Sequence, residues 1–140
     1  MQTTHEVYLS LGSNTGDRKR NMQLAVALLE AHVGHVVKQS TIIETEPWGF
    51  SSPNRFLNGC VLLLTEKTPL EVLEATQAIE RQLGRTQKST DGQYHDRPID
   101  IDILLYDNLQ LDDPRLTLPH PHMAERDFVM IPLREIMPEK

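Results

Sequence analysis

The chain has 140 residues, 39% of them apolar and 24% charged, and a net charge of −6 at pH 7. That length fits one domain, residues 1–140, with a core that needs no staples, and the acidic balance excludes a broad basic surface for nucleic acid. One cysteine (Cys60), a start (MQTTHEV) without a signal-peptide apolar stretch and no bilayer-length apolar run predict a cytoplasmic protein without a membrane partner.

The first element, VYLSLGSN, reads as a strand that breaks at Gly12-Ser13-Asn14. Asp17 can cap a following helix whose inward face is Met22, Ala25, Val26, Leu29 and Val33, ending at Gly34. Val36 to Thr45 is β-rich and predicts a second strand, and EPWGFSSPN is a turn-rich loop. FLNGCVLLLTE is a third strand, apolar enough to be covered on both faces. TPLE opens a second helix with Thr68 as cap, Pro69 at its first position and Glu71 closing a capping box. Val72, Thr76, Ile79 and Leu83 form its inward face, and Gly84 stands just past its end. After the polar loop RTQKSTDGQYHD comes a strand over Ile99–Leu105, then a tail rich in Pro and His that ends in a helix near Phe128–Ile136. The order β-α-β-β-α-β predicts a ferredoxin-like α/β sandwich (an α+β arrangement): an antiparallel sheet with helices on one face and ligand loops, 46–55 and 85–96, over the other.

The strand in DRPIDIDILLY carries two carboxylates. Alternation puts Asp100, Asp102 and Leu104 on one face and Ile99, Ile101 and Ile103 on the other. The aspartate Cα atoms are about 6.6 Å apart, so the pair suits one hard cation or two, magnesium above all. The bland alternative is the polar face of an edge strand. Arg81, Arg85, Arg97, Arg115, Arg126 and Arg134 fall in the second half of the chain, and a guanidinium fork suits phosphate oxygens. GSNTGDRK follows a strand and precedes a helix, but it lacks the Walker Lys-Ser/Thr pair and the three-glycine fingerprint, so it reads as a structural turn. His120 and His122 in LPHPHMAERDF can ligate zinc, bind phosphate or stand in a surface turn. Asn58 sits in an apolar strand and needs partners for its amide and carbonyl, from the backbone or from the edge of a flat heterocycle. Trp48, Phe50, Phe56 and Phe128 can stack on such a ring or join a core cluster.

As a set, GSN, TEPWG, FLN, IERQLGR, RPIDIDI, LTLPHPHM and RDFVMIPL resemble the 6-hydroxymethyl-7,8-dihydropterin pyrophosphokinase family of folate biosynthesis, over about Val7 to Glu135. The resemblance implies transfer of pyrophosphate from ATP to the hydroxymethyl oxygen of the pterin, with release of AMP. It implies two Mg2+ ions on Asp100 and Asp102. It puts ATP phosphates on Arg85, Arg97, His120 and Arg126, and Gln77, Arg115, Leu116 and Thr117 beside the nucleotide. Thr45, Pro47, Trp48, Phe56, Asn58 and Phe128 would line the pterin site. Tyr94 falls where relatives often carry Trp, Gln87 and Gln93 where they carry Arg, Glu46 where Pro is common, Trp48 where Leu is common and Pro121 where Tyr often follows the histidine. The partners are then small molecules and the chain a monomer. The rival readings are a non-catalytic ferredoxin-like binding module and a zinc hydrolase built on His120, His122 and an aspartate.

Overall fold

The computed structural model describes residues 4–46, 55–84 and 98–138. In chain order the elements are β1 (His5–Ser13), α1 (Arg18–His32), β2 (His35–Gln39), β3 (Ile43–Thr45), β4 (Phe56–Thr65), α2 (Pro69–Gln82), β5 (Asp100–Tyr106), β6 (Leu111–Asp113), β7 (Leu116–Leu118) and α3 (Asp127–Ile136). A 3-10 turn, Met123–Glu125, precedes α3.

The main sheet runs β2-β4-β1-β5 in space, with β3 also paired to β4, and every pairing is antiparallel. With α1 and α2 as crossovers, this is the split βαβ arrangement that the element order predicts. Local chemistry sets the helix ends. Asp17 Oδ1 accepts from the Arg20 N–H at 3.1 Å, which caps α1. At α2, Thr68 and Glu71 exchange both capping-box bonds and Pro69 occupies the first turn. Gly84 follows at φ +104°, a conformation that disfavours a β-carbon.

One core lies between the sheet and the two helices. Val7, Leu9, Leu11, Val61, Leu63, Ile99, Ile101 and Ile103 meet Met22, Ala25 and Leu29 of α1 and Val72 and Ile79 of α2. Each such side chain contributes on the order of 2 kcal/mol through its burial.

Two expectations need correction. The segment 36–45 is not one strand but two, β2 and β3, both on β4. Ser40 divides them: its hydroxyl accepts from the Cys60 N–H at 2.8 Å, and its own N–H donates to the Cys60 carbonyl at 2.9 Å. A side chain thus takes one rung of the ladder, and a bulge between Val36 and Lys38 has already shifted the register. The tail before the last helix also holds β6 and β7, which pair as a small hairpin. The second face of the sheet is not left to loops alone. α3 lays Val129, Leu133 and Ile136 on Tyr8, Cys60, Leu62 and Leu104, forming a second core. Pro132 sits inside α3 and deletes one helix hydrogen bond, yet it is buried in the same stripe. Loops 47–54 and 85–97, with Phe50, Gln87, Gln93 and Tyr94, lie outside the described residues.

β5 contains a bulge that matters for the site. Leu9 pairs with Ile103 but Tyr8 pairs with Leu105, so one residue is extra. Leu104 and Leu105 both pack on the α3 side, and Tyr106 returns to the helix core. No helix among the described residues is long and apolar enough to cross a membrane.

Candidate active site

Beyond α3, the second face ends in two polar rows. The first crosses the sheet as Asp100, Gly12, Asn58 and Ile43 on β5, β1, β4 and β3. The second is Asp102, Ser10 and Cys60. Directly paired residues share a face, so both aspartates lie on the same side as Asn58. Asp100 and Asp102 are partly exposed, and Ile99, Ile101 and Ile103 are buried on the other side, as their alternation predicts. Two half-exposed carboxylates on one rigid strand are a donor set that suits magnesium, which takes one or two carboxylates and completes its shell with water and phosphate.

Asn58 is 2% exposed. Its Nδ2 donates to Thr45 Oγ1 at 2.5 Å, which fixes the amide orientation. A β-carbon built on Gly12 would stand 3.1 Å from Asn58 Oδ1 and 3.4 Å from Phe56 Cδ1. The amide oxygen therefore faces the gap that the glycine leaves in the row. That gap separates Asn58 from Asp100 by about 10 Å, two strand spacings. Phe56 is buried beside it and pairs with Thr45.

The segment between β7 and α3 adds two cationic or proton-bearing groups. The Leu118–Pro119 peptide is cis. His120 follows, and its N–H is bonded to the Leu104 carbonyl at 3.0 Å. Burial, together with the positive charges of Arg126 and His122, pushes the His120 imidazole down to about 4, with Asp100 opposing. The ring is thus neutral at pH 7. Its Nδ1 accepts from the His122 N–H at 3.2 Å, so its proton sits on Nε2 and can be donated. Arg126 is buried at 6% exposure, with its guanidinium carbon 5.7 Å from the Phe128 ring centroid. Phe128 is half-buried at the start of α3. Cys60 lies under α3 with Sγ 3.7 Å from the Val129 carbonyl, and burial lifts its thiol to about 12, so it is no nucleophile.

Asp100, Asp102, Thr45, Phe56 and Asn58 thus share the sheet face. His120 and Arg126 lie near enough to one another for their charges to interact, and His120 likewise feels Asp100. The remaining described candidates stand apart. Arg115 is exposed on the hairpin, where Nε and Nη2 meet Asp113 at 3.1 and 3.3 Å. Those bonds raise the Arg115 pKa, and the charge of Glu74 on α2 adds to the effect. Gln77 is half-buried on α2, Leu116 packs against the helix-side core, and Thr117 is exposed opposite Asp112. Arg85, Arg97, Pro47 and Trp48 lie outside the described residues. Among the described residues, no three His, Cys, Asp or Glu side chains gather to hold a metal, and His122 Nδ1 meets Glu125 at 3.3 Å instead.

The sequence reading missed one charged group. Glu80 of α2 is 2% exposed, and its Oε2 accepts from the Ile101 N–H at 2.8 Å, between the two aspartates. The signal was present: position 80 is four residues past Thr76 and next to Ile79, within the inward stripe.

The family model of 7,8-dihydro-6-hydroxymethylpterin-pyrophosphokinase (HPPK) matches residues 8–138. A 2-amino-4-hydroxy-6-hydroxymethyldihydropteridine pyrophosphokinase of Porphyromonas gingivalis is 55% identical over 133 residues, 94% of this chain and 90% of that protein. The Bacillus subtilis protein of the same name is 45% identical over 130 residues, 92% of this chain and 76% of that protein. A crystal structure of wild-type Plasmodium falciparum HPPK-DHPS with SDX-DHP superposes at a TM-score of 0.74 with 15% identity. It covers 94% of this chain, which spans 40% of that longer chain, and it speaks to the fold alone. The chain therefore belongs to the HPPK family, the pyrophosphokinases of hydroxymethyldihydropterin in folate biosynthesis.

Proposed function

We propose that diphosphate transfer from ATP to the hydroxyl of 6-hydroxymethyl-7,8-dihydropterin, with release of AMP, takes place on the polar rows of the second sheet face. The observation that carries this reading is the row Asp100–Gly12–Asn58: a carboxylate on β5, with Asp102 in the next row beside it, and a fixed amide on β4, on the two sides of a residue without a side chain.

Asp100 and Asp102 would hold two magnesium ions, which would supply charge neutralisation for the triphosphate and acidify the pterin hydroxyl, its proton passing to water without a dedicated general base. The chain's own part is positioning and charge. Asn58 Oδ1 accepts from an N–H on the pterin edge, because the Nδ2 bond to Thr45 turns Oδ1 toward the gap at Gly12. Phe56 and Phe128 stack on the ring, with Pro47 and Trp48 completing that half. His120, neutral and protonated at Nε2, donates to a phosphate oxygen without adding charge. Arg126, Arg85 and Arg97 supply the positive charge that phosphate needs, and their rigid forks set its direction. Gln77, Arg115, Leu116 and Thr117 hold the nucleoside end between α2 and the hairpin. In this reading the chain acts as a monomer.

The test is an AMP-release assay with ATP, Mg2+ and the hydroxymethyl pterin. AMP should appear in step with pterin diphosphate. Its absence across a range of metal concentrations would overturn the reading.

A further inference from the structure

The pterin half of the site is held from behind. Glu44 pairs with Leu57 and so points to the helix side of the sheet, opposite to Thr45 and Phe56. There it meets Arg18, the first residue of α1. Arg18 Nη1 donates to Glu44 Oε2 at 2.8 Å and to the Arg55 carbonyl at 2.9 Å. One guanidinium therefore ties the strand that ends at Thr45 to the residue just before Phe56. Arg55 reinforces the tie, with Nε 3.0 Å from Glu46 Oε1 and Nη1 3.9 Å from Glu44 Oε1.

Exposed ion pairs contribute little to global stability, and these side chains are 33% (Arg18), 44% (Glu44), 59% (Arg55) and 71% (Glu46) exposed. Their placement gives them a different consequence. β3 has only three residues and pairs with β4 alone, so its ladder is marginal by itself. Thr45 is its last residue, and the orientation of the Asn58 amide depends on Thr45 Oγ1. A shift of β3 by about 1 Å or more carries Thr45 Oγ1 out of hydrogen-bond reach and frees the amide to turn.

We infer that Arg18 is a positioning residue for pterin recognition, acting through Glu44 and the Arg55 carbonyl on Thr45, Asn58 and Phe56. The inference rests on the pterin site proposed above. Arg18→Met keeps the aliphatic stem and removes the fork. It should raise KM for the pterin about tenfold, the loss of roughly one charge-assisted hydrogen bond, and leave KM for ATP and kcat within about twofold. Glu44→Gln keeps an acceptor and should give a smaller rise in the same constant. Arg18→Lys should recover part of the loss. The pterin is uncharged at this edge, so its KM should climb with ionic strength in the wild type and climb less in Arg18→Met, where only the Arg55 pairs remain.

An unchanged pterin KM in both variants, or an equal rise for pterin and ATP, overturns the inference. Asn58→Ala separates this from failure of the underlying site. If Asn58→Ala leaves the pterin KM unchanged, the proposed pterin site itself falls. If Asn58→Ala raises it and Arg18→Met does not, only the Arg18 inference falls.

Discussion

The two faces of the sheet come from the same strands, yet one is uniform and the other divided. On the helix side, Val7, Leu9, Leu11, Val61, Leu63, Ile101 and Ile103 form an apolar layer that closes on α1 and α2. On the opposite side, even-numbered residues begin apolar under α3 and turn polar at Ser10, Gly12, Asn58, Asp100 and Asp102. The strands therefore gain their rigidity from one set of side chains and present chemistry with the other. A carboxylate pair fixed in this way needs no loop to aim it.

Substitutions on either side of β5 should separate the two roles. Asp102→Ala should lower AMP release by on the order of a thousandfold, because the proposed metal site would lose half of its protein ligands, while thermal unfolding stays within a few degrees of wild type. Near-normal turnover would remove the metal role from the polar face. Its neighbour one residue away should behave oppositely. Ile101→Ala should cost about 3 kcal/mol in denaturant titration, and turnover per folded molecule should hold. A catalytic loss without a stability loss would erase the distinction between faces.

Glu80 tests the strand's edge. Glu80→Ala leaves the buried Ile101 N–H without this acceptor and should cost about 2 kcal/mol, whereas Glu80→Gln should cost less than half of that. Equal losses would mean that charge, not hydrogen bonding, is what Glu80 supplies. The smallest effect is in pH. Below about 6.5 an unfolded histidine takes up a proton that folded His120 refuses until about pH 4, so stability falls as pH falls through that window. His120→Gln should flatten the decline between pH 6.5 and 4 when unfolding is measured without ligand. An identical slope in both proteins would show that His120 does not carry it.

Much of this arrangement is legible in the sequence because it follows from local rules. The period of two sorted Asp100 and Asp102 from the isoleucines, and cap residues marked both ends of α2. What escaped was set by partners distant in sequence. Ser40 splits a β-rich segment only because Cys60 stands opposite. The hairpin strands have three residues each, too few for alternation to register. α3 was foreseen as a helix, but its stripe does not say which face of the sheet it covers. Arg126 reads as one more surface arginine until α3 and the 3-10 turn bury it. In the same way, Glu80 reads as one more helix charge until β5 is laid against α2.

The bond from Glu80 to Ile101 also bears on what the protein does in a crowded solution. Among the described residues β5 is the last strand of its sheet, and an outer N–H is what an approaching chain would use to extend the sheet. The Glu80 carboxylate already occupies that donor at 2.8 Å. A bulge two residues further on breaks the straight edge that an added strand would need. The contact that steadies the strand between its aspartates is thus also a guard against edge-to-edge aggregation.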